Sequence, residues 1–147
     1  MILNEKKGNL FDLDEKYTLA HCISLDCEMG KGIAVKFDKK FRGMKAFLKN
    51  RIETCDIDFP VTIPCFSNRK LRVFNLITKK NYWGKPTYIT ITKCIEQMAE
   101  ICERHQIKYL AMPKIGCGLD RLQWGKVREI IEDTFKDIDI EIEVRYL

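Results

Sequence analysis

Two stretches of this 147-residue chain set a pair of glycines beside residues that can carry charge. Gly30-Lys31-Gly32-Ile33 follows Ser24-Leu25-Asp26-Cys27-Glu28-Met29, and Gly116-Cys117-Gly118-Leu119-Asp120 follows Pro113-Lys114-Ile115. Glycine lets backbone N–H groups approach an anion closely, and a helix that starts just beyond adds the positive end of its dipole. Two such loops facing one crevice suit a diphosphate; either alone is an ordinary tight turn. Gly30 to Val35 also fails the dinucleotide fingerprint, because no third Gly or Ala stands at the expected place.

Lys79 ends the apolar run Leu76-Ile77-Thr78, and Asp120 ends the second glycine loop. Taken singly, Lys79 is a solvated surface charge and Asp120 a cap for a helix near Leu122-Gln123. If both face the crevice, they form a nucleophile and a base. An amine attacks only when neutral, and a neighbouring carboxylate favours the ammonium. Asp120 must therefore take the proton during reaction, or a dry pocket must offset its charge. A cysteine hydrolase using Cys22 or Cys117 with His21 is the competing chemistry. His21 and Cys22 are adjacent on a strand, so they face opposite sides, and Cys117 has no identified base.

These residues need strands and helices to position them. Period-two and apolar runs predict strands over residues 2–4, 17–23, 61–66, 71–78, 107–112 and 140–146. In the last, Ile140, Ile142, Val144 and Tyr146 point one way and Glu141, Glu143 and Arg145 the other. Residues 33–48 predict two short helices broken near Gly43. Residues 87–105 carry an apolar stripe at Tyr88, Ile91, Ile95, Met98 and Cys102, and Trp124, Val127, Ile131 and Phe135 repeat it. Alternating strands and helices predict an α/β sandwich with a largely parallel sheet, whose ligands bind beyond the carboxyl ends of the strands.

Composition sets wider bounds. A chain of this length suits one domain, residues 1–147, with a core that needs no staples. Hydrophobic residues make up 46% and charged residues 32%, without a low-complexity tract or a run long enough to span a bilayer. Seven cysteines with no CxxC, and two distant histidines, argue against a zinc site or a disulfide framework. The net charge of +5 favours anionic partners without naming one. No signal-peptide pattern opens the chain, so a cytoplasmic or nuclear location is expected, with no membrane partner. A monomer is the expected state.

Several runs together resemble one macrodomain subfamily, the terminal ADP-ribose protein glycohydrolases, similar to the macrodomain of a chromatin-remodelling helicase. They are Leu19 to Ser24, Met29 to Val35, Leu76 to Lys80, Lys85-Pro86-Thr87-Tyr88 and Met112 to Trp124, and the similarity extends from Gly8 to the carboxyl terminus. The resemblance implies a three-layer α/β/α fold with a mixed, largely parallel central sheet and ADP-ribose in a cleft. It implies a hydrolase that removes mono-ADP-ribose from glutamate and aspartate of modified proteins, and a place in the DNA damage response. Lys79 would be the nucleophile at C1″ of the distal ribose and Asp120 the acid/base that resolves a lysyl adduct, with no metal or cofactor. Gly116, Cys117 and Gly118 would line the diphosphate by backbone, with Gly32 and Ile33 opposite. Lys114, Ile115 and Leu119 flank that loop; Leu10 and Leu147 match substrate-contacting positions, and Ser24 a pocket residue. Acetyl-ester and nucleic-acid adducts of ADP-ribose stay open as further substrates. A non-catalytic module for ADP-ribose, poly(ADP-ribose) or nucleic acid is the alternative.

The chain departs from the family in two places. Asn9 stands where macrodomains usually carry an aspartate that accepts from the adenine amino group. The amide oxygen still accepts but lacks the charge that strengthens the bond, so weaker adenine recognition is expected. Asn81-Tyr82-Trp83-Gly84 is unusually aromatic: Trp83 either stacks on adenine, closes over the distal ribose, or covers core.

Overall fold

The computed structural model describes residues 1–147. Six strands form one sheet: β1 (Ile2–Lys7), β2 (Thr18–Ser24), β3 (Val61–Ser67), β4 (Lys70–Lys79), β5 (Tyr109–Met112) and β6 (Glu141–Tyr146). Their order across the sheet is β1-β6-β5-β2-β4-β3, and every pair is parallel except β3 with β4. The expected mixed, largely parallel sheet is therefore present. Four helices cover it: α1 (Ile33–Lys40), α2 (Met44–Thr54), α3 (Tyr88–Arg104) and α4 (Trp124–Phe135). None of them is long and apolar enough to cross a membrane.

The helical stripes face inward as their spacing requires. On α3, Ile91, Cys94, Ile95, Met98, Ala99 and Cys102 are buried, and on α4, Val127, Ile131 and Phe135. They pack on Phe74, Leu76, Leu110, Met112, Ile142 and Val144 of one sheet face. Each such aliphatic side chain contributes about 1.5–3 kcal/mol by leaving water. The other face packs Phe37 of α1 and Leu48 of α2 against Leu19, Ile23, Ile63, Val73 and Ile77. Helix, sheet and helix make three layers.

Three boundaries moved. β1 runs to Lys7 because it pairs in register with all of β6, although its own sequence carries little alternation. α2 continues past Leu48 to Thr54, and its start is set by Gly43 in the left-handed region at φ 87°. Residues 107 and 108 fall outside β5, which pairs only from Tyr109 onward.

The last strand alternates as expected, with one qualification. Ile140, Ile142 and Val144 join the core, while Glu143 on the opposite face is itself buried and paired with Arg145 at 2.9 Å. One polar group sits deeper still. His21 is fully buried on β2, stacked on Phe37 with ring centroids 3.8 Å apart. Its Nε2 lies 2.6 Å from Asn75 Oδ1, and the Asn75 amide donates to Ile63 O, so the imidazole Nε2–H must be the donor. Nδ1 has no partner. Burial pushes the imidazole from 6.5 down to about 4, against a smaller upward pull from Asn75.

A depressed base makes stability fall with acid, because the unfolded chain takes up the proton first. The loss begins near pH 6.5, runs at about 1.4 kcal/mol per pH unit, and is complete near pH 4. An NMR titration of the His21 ring should show a midpoint near 4. A midpoint near 6.5 would contradict the burial account.

Candidate active site

The parallel strands β2, β4 and β5 end on the same edge of the sheet, and each hands over to a loop named above. Lys79 is the last residue of β4 and Ser24 the last of β2; the two are paired in register just after a bulge between Ile23 and Ser24. Leu25 N–H donates to Lys79 O at 2.9 Å, which fixes the end of β4 against the loop after β2. From the third loop Asp120 reaches back across 41 positions of sequence: Lys79 Nζ donates to Asp120 Oδ1 at 2.6 Å. Their side chains are only 15% and 14% exposed, so neither is the freely solvated charge that its sequence position alone suggested. Nor is Asp120 a helix cap, since Gln123 occupies the start of α4.

The glycine loops differ in why they need glycine. Gly116 adopts φ +74°, its carbonyl accepts from Leu122 N–H at 2.8 Å, and a Cβ there would stand 2.8 Å from Ile91 Cδ1. Packing demands it. Gly118 is open on all sides, so only an approaching ligand would require its lack of a side chain. Gly32, at φ +63°, starts α1 without a side-chain cap and faces Leu119, whose Cδ1 would be 3.4 Å from an added Cβ. The two glycine loops therefore confront each other across the strand ends. The N–H groups of Gly118, Leu119 and Asp120 donate to no protein acceptor, as anion binding requires.

Other expected site residues are distributed unevenly. Ile115 and Gly116 are buried, Cys117 is half-buried and Leu119 is exposed. Lys114 is turned aside, lying 4.1 Å over the Tyr146 ring and 3.8 Å from Glu5 Oε2. Ile33 opens α1 and is half-buried. Leu10 is 3% exposed and belongs to the core, so its side chain offers almost no contact surface. Leu147 is exposed just beyond β6, on the carboxyl edge. Asn9 caps the short 3-10 turn Leu10–Asp12, its Oδ1 accepting from Phe11 N–H at 3.0 Å, so part of its acceptor capacity is already used. Trp83 is 68% exposed and does not cover core; it meets Tyr82 edge-on at 5.1 Å.

The cysteine alternative fails on geometry. His21 lies on the α1 side of the sheet and Cys22 packs toward the α3 side. Burial raises the Cys22 thiol well above its ordinary value, with Cys94 and Asp120 adding to the effect. Burial likewise pushes Cys117 up to about 11, despite Lys114 nearby. Neither is a ready thiolate. A shallow depression of about 120 Å³ near Gln106 and Asp137, by the segments entering β5 and β6, is lined by a Lys108–Asp139 pair at 3.3 Å, but both side chains are largely in water.

Sequence reasoning passed over the residues that hold the Asp120 loop. Lys85 Nζ donates to Leu119 O at 2.8 Å, and Tyr88 Oη accepts from Gln123 N–H at 3.0 Å. The one available signal was their place in the run Lys85-Pro86-Thr87-Tyr88, which leads into the first residue of α3.

A Macro domain model matches residues 21–131, three quarters of the chain. The chain belongs to the Macro domain family. It is 42% identical over 138 residues to the human protein named ADP-ribose glycohydrolase OARD1, covering 94% of this chain and 87% of that one. In structure this macrodomain is similar to that of Mycobacterium tuberculosis DarG, with a TM-score of 0.89, 18% identity and coverage of 99% and 98%. Thermosipho africanus DarTG, solved in complex with ADP-ribose, matches with a TM-score of 0.80 and 19% identity, over 98% of this chain and 41% of that one.

The two roles for glycine separate in stability. Gly116→Ala should cost about 2–4 kcal/mol, from a left-handed backbone plus crowding of Ile91. Gly118→Ala should stay within about 0.5 kcal/mol of the parent. Urea denaturation measures both, and equal losses would contradict the distinction.

Proposed function

We propose that this macrodomain is a hydrolase that binds ADP-ribose and releases mono-ADP-ribose from glutamate and aspartate side chains of modified proteins. The observation that carries the proposal is the Lys79–Asp120 pair at 2.6 Å, largely withdrawn from water and flanked by two glycine loops. The 42% identity to a protein named ADP-ribose glycohydrolase supports the substrate class.

In this account the diphosphate rests on the backbone N–H groups of Gly118 and Leu119, with Gly32 and Ile33 opposite. The distal ribose then presents C1″ to Lys79. Asp120 takes a proton from Nζ as the nitrogen lone pair forms the Nζ–C1″ bond. The C1″–O bond to the acceptor breaks, and its electron pair leaves with the glutamate or aspartate carboxylate. That group is stable as an anion, so departure needs no strong acid. Asp120, now protonated, protonates Nζ as it departs, and water takes its place at C1″; the water proton passes to Asp120 and from it to solvent, which restores the carboxylate. The net change is addition of one water. The Lys79 ammonium stays beside the Asp120 carboxylate between turnovers, and each cycle returns to that pair.

Purified protein incubated with a glutamate-linked mono-ADP-ribosylated substrate should release ADP-ribose. Lys79→Ala should reduce release by at least about 10³-fold while ADP-ribose binding survives, because the nucleophile is not part of the diphosphate cradle. Binding of ADP-ribose with no release by either protein would make this chain a binding module and remove the catalytic assignment.

A further inference from the structure

Asp26 was absorbed by neither glycine loop nor ion pair, yet it is the most heavily hydrogen-bonded side chain near Lys79. Its Oδ1 accepts from Ser24 Oγ and from Glu28 N–H at 3.3 Å, and its Oδ2 accepts from Tyr82 N–H at 2.9 Å. That last contact is the sole hydrogen bond joining residues 80–84 to any other part of the chain; the remaining one, Gly84 N–H to Asn81 O at 2.9 Å, is internal. Lys79 itself is anchored through β4 and, at its carbonyl, by Leu25 N–H, whereas the segment that follows it, residues 80–84, has one side-chain tether. That tether is Asp26.

The loop that carries Asp26 is itself fixed. Leu25 N–H is bonded to Lys79 O, and Cys27 and Met29 are buried in left-handed conformations, at φ 55° and 49°. Asp26 thus joins two segments that bracket the lysine. Burial opposes its charge, but the three donors and the nearby Lys79 ammonium outweigh this and hold the carboxyl below the ordinary carboxylate range.

We propose that Asp26 is a positioning residue, which fixes the direction of Lys79 and the seat of the Tyr82–Trp83 pair by tying residues 80–84 to the loop after β2. The inference rests on the glycohydrolase reading. It separates the duties of the two carboxylates around the lysine. Both oxygens of Asp26 already accept bonds from donors other than Lys79, whereas Asp120 bonds only to Lys79 and keeps Oδ2 free for proton traffic. A displacement of about 1 Å at a reacting group can cost roughly 100-fold in rate, so a tether that touches no substrate can still govern turnover.

The test compares the parent with Asp26→Ala and Asp26→Asn, alongside Lys79→Ala. Asn can keep the Tyr82 bond through its amide oxygen while its NH2 group donates to Ser24 Oγ, losing only the Glu28 bond and the charge, so it serves as the conservative control. Turnover of a glutamate-linked mono-ADP-ribosylated peptide gives kcat; calorimetry with free ADP-ribose gives Kd. Thermal denaturation and hydrogen exchange at the Tyr82 amide report on the fold and the tether. For Asp26→Ala the expected result is a fall in kcat of roughly 10- to 100-fold, Kd within about threefold, and faster Tyr82 exchange, with Asp26→Asn closer to the parent in kcat and exchange. If Asp26→Ala fails to fold, Asp26→Ser, too short to reach the Tyr82 amide, takes its place in this comparison and in the outcomes that follow. A kcat within about twofold of the parent overturns the proposal, as does a loss of kcat matched by equal losses in affinity and stability. No release by the parent overturns the glycohydrolase reading and this inference with it, which the unchanged parent and Lys79→Ala controls make evident.

Discussion

Lys79 Nζ and Asp120 Oδ1 stand 2.6 Å apart as an ion pair, while nucleophilic attack needs the amine neutral. The arrangement at the strand ends answers that conflict. The two side chains are withdrawn from water to a similar degree, so a proton passing from Lys79 to Asp120 removes two poorly solvated charges at once. Substrate that expels the remaining water would favour the transfer further. In the proposed mechanism the ion pair is thus a store for the proton.

Holding that pair is a task for the whole sheet. Lys79 ends β4 and Asp120 lies in the loop after β5, with β2 between these strands, so parallel order brings distant segments to one edge. Pinning the loops takes specific bonds. Lys85 and Tyr88 clamp the Asp120 side, Leu25 clamps the Lys79 backbone, and Gly116 fits beneath Ile91 and Leu122, which a Cβ would crowd. Gly118 is open on all sides, while Gly32 faces Leu119 across the gap between the two loops. The same core that packs α3 onto the sheet therefore sets the height of the Asp120 loop.

Much of this was legible before any coordinates. Apolar stripes of period three and four located α3 and α4, and the split at Gly43 was visible as a glycine in a helical run. Lys79 and Asp120 stood out because each followed a buried strand or a glycine loop. Other features could not be read locally. β1 is polar along much of its length and is defined by β6, a partner at the far end of the chain. Asp26 and Lys85 gain their roles from hydrogen bonds across 56 and 34 positions, and nothing in their neighbours announces such bonds. Leu10 matched a ligand-contacting position by resemblance, yet its side chain is spent on the core. Resemblance transfers a residue type more readily than the direction it points.

The central claim is that Lys79 forms the bond to C1″ and Asp120 releases it. Incubating Asp120→Ala with a glutamate-linked mono-ADP-ribosylated protein, then mapping the chain by peptide mass spectrometry, tests this most directly. The account predicts an ADP-ribosyl group carried on Lys79, because the adduct would form slowly and persist without its acid/base. An adduct on another residue, or full release of ADP-ribose with Lys79 never modified, would contradict it.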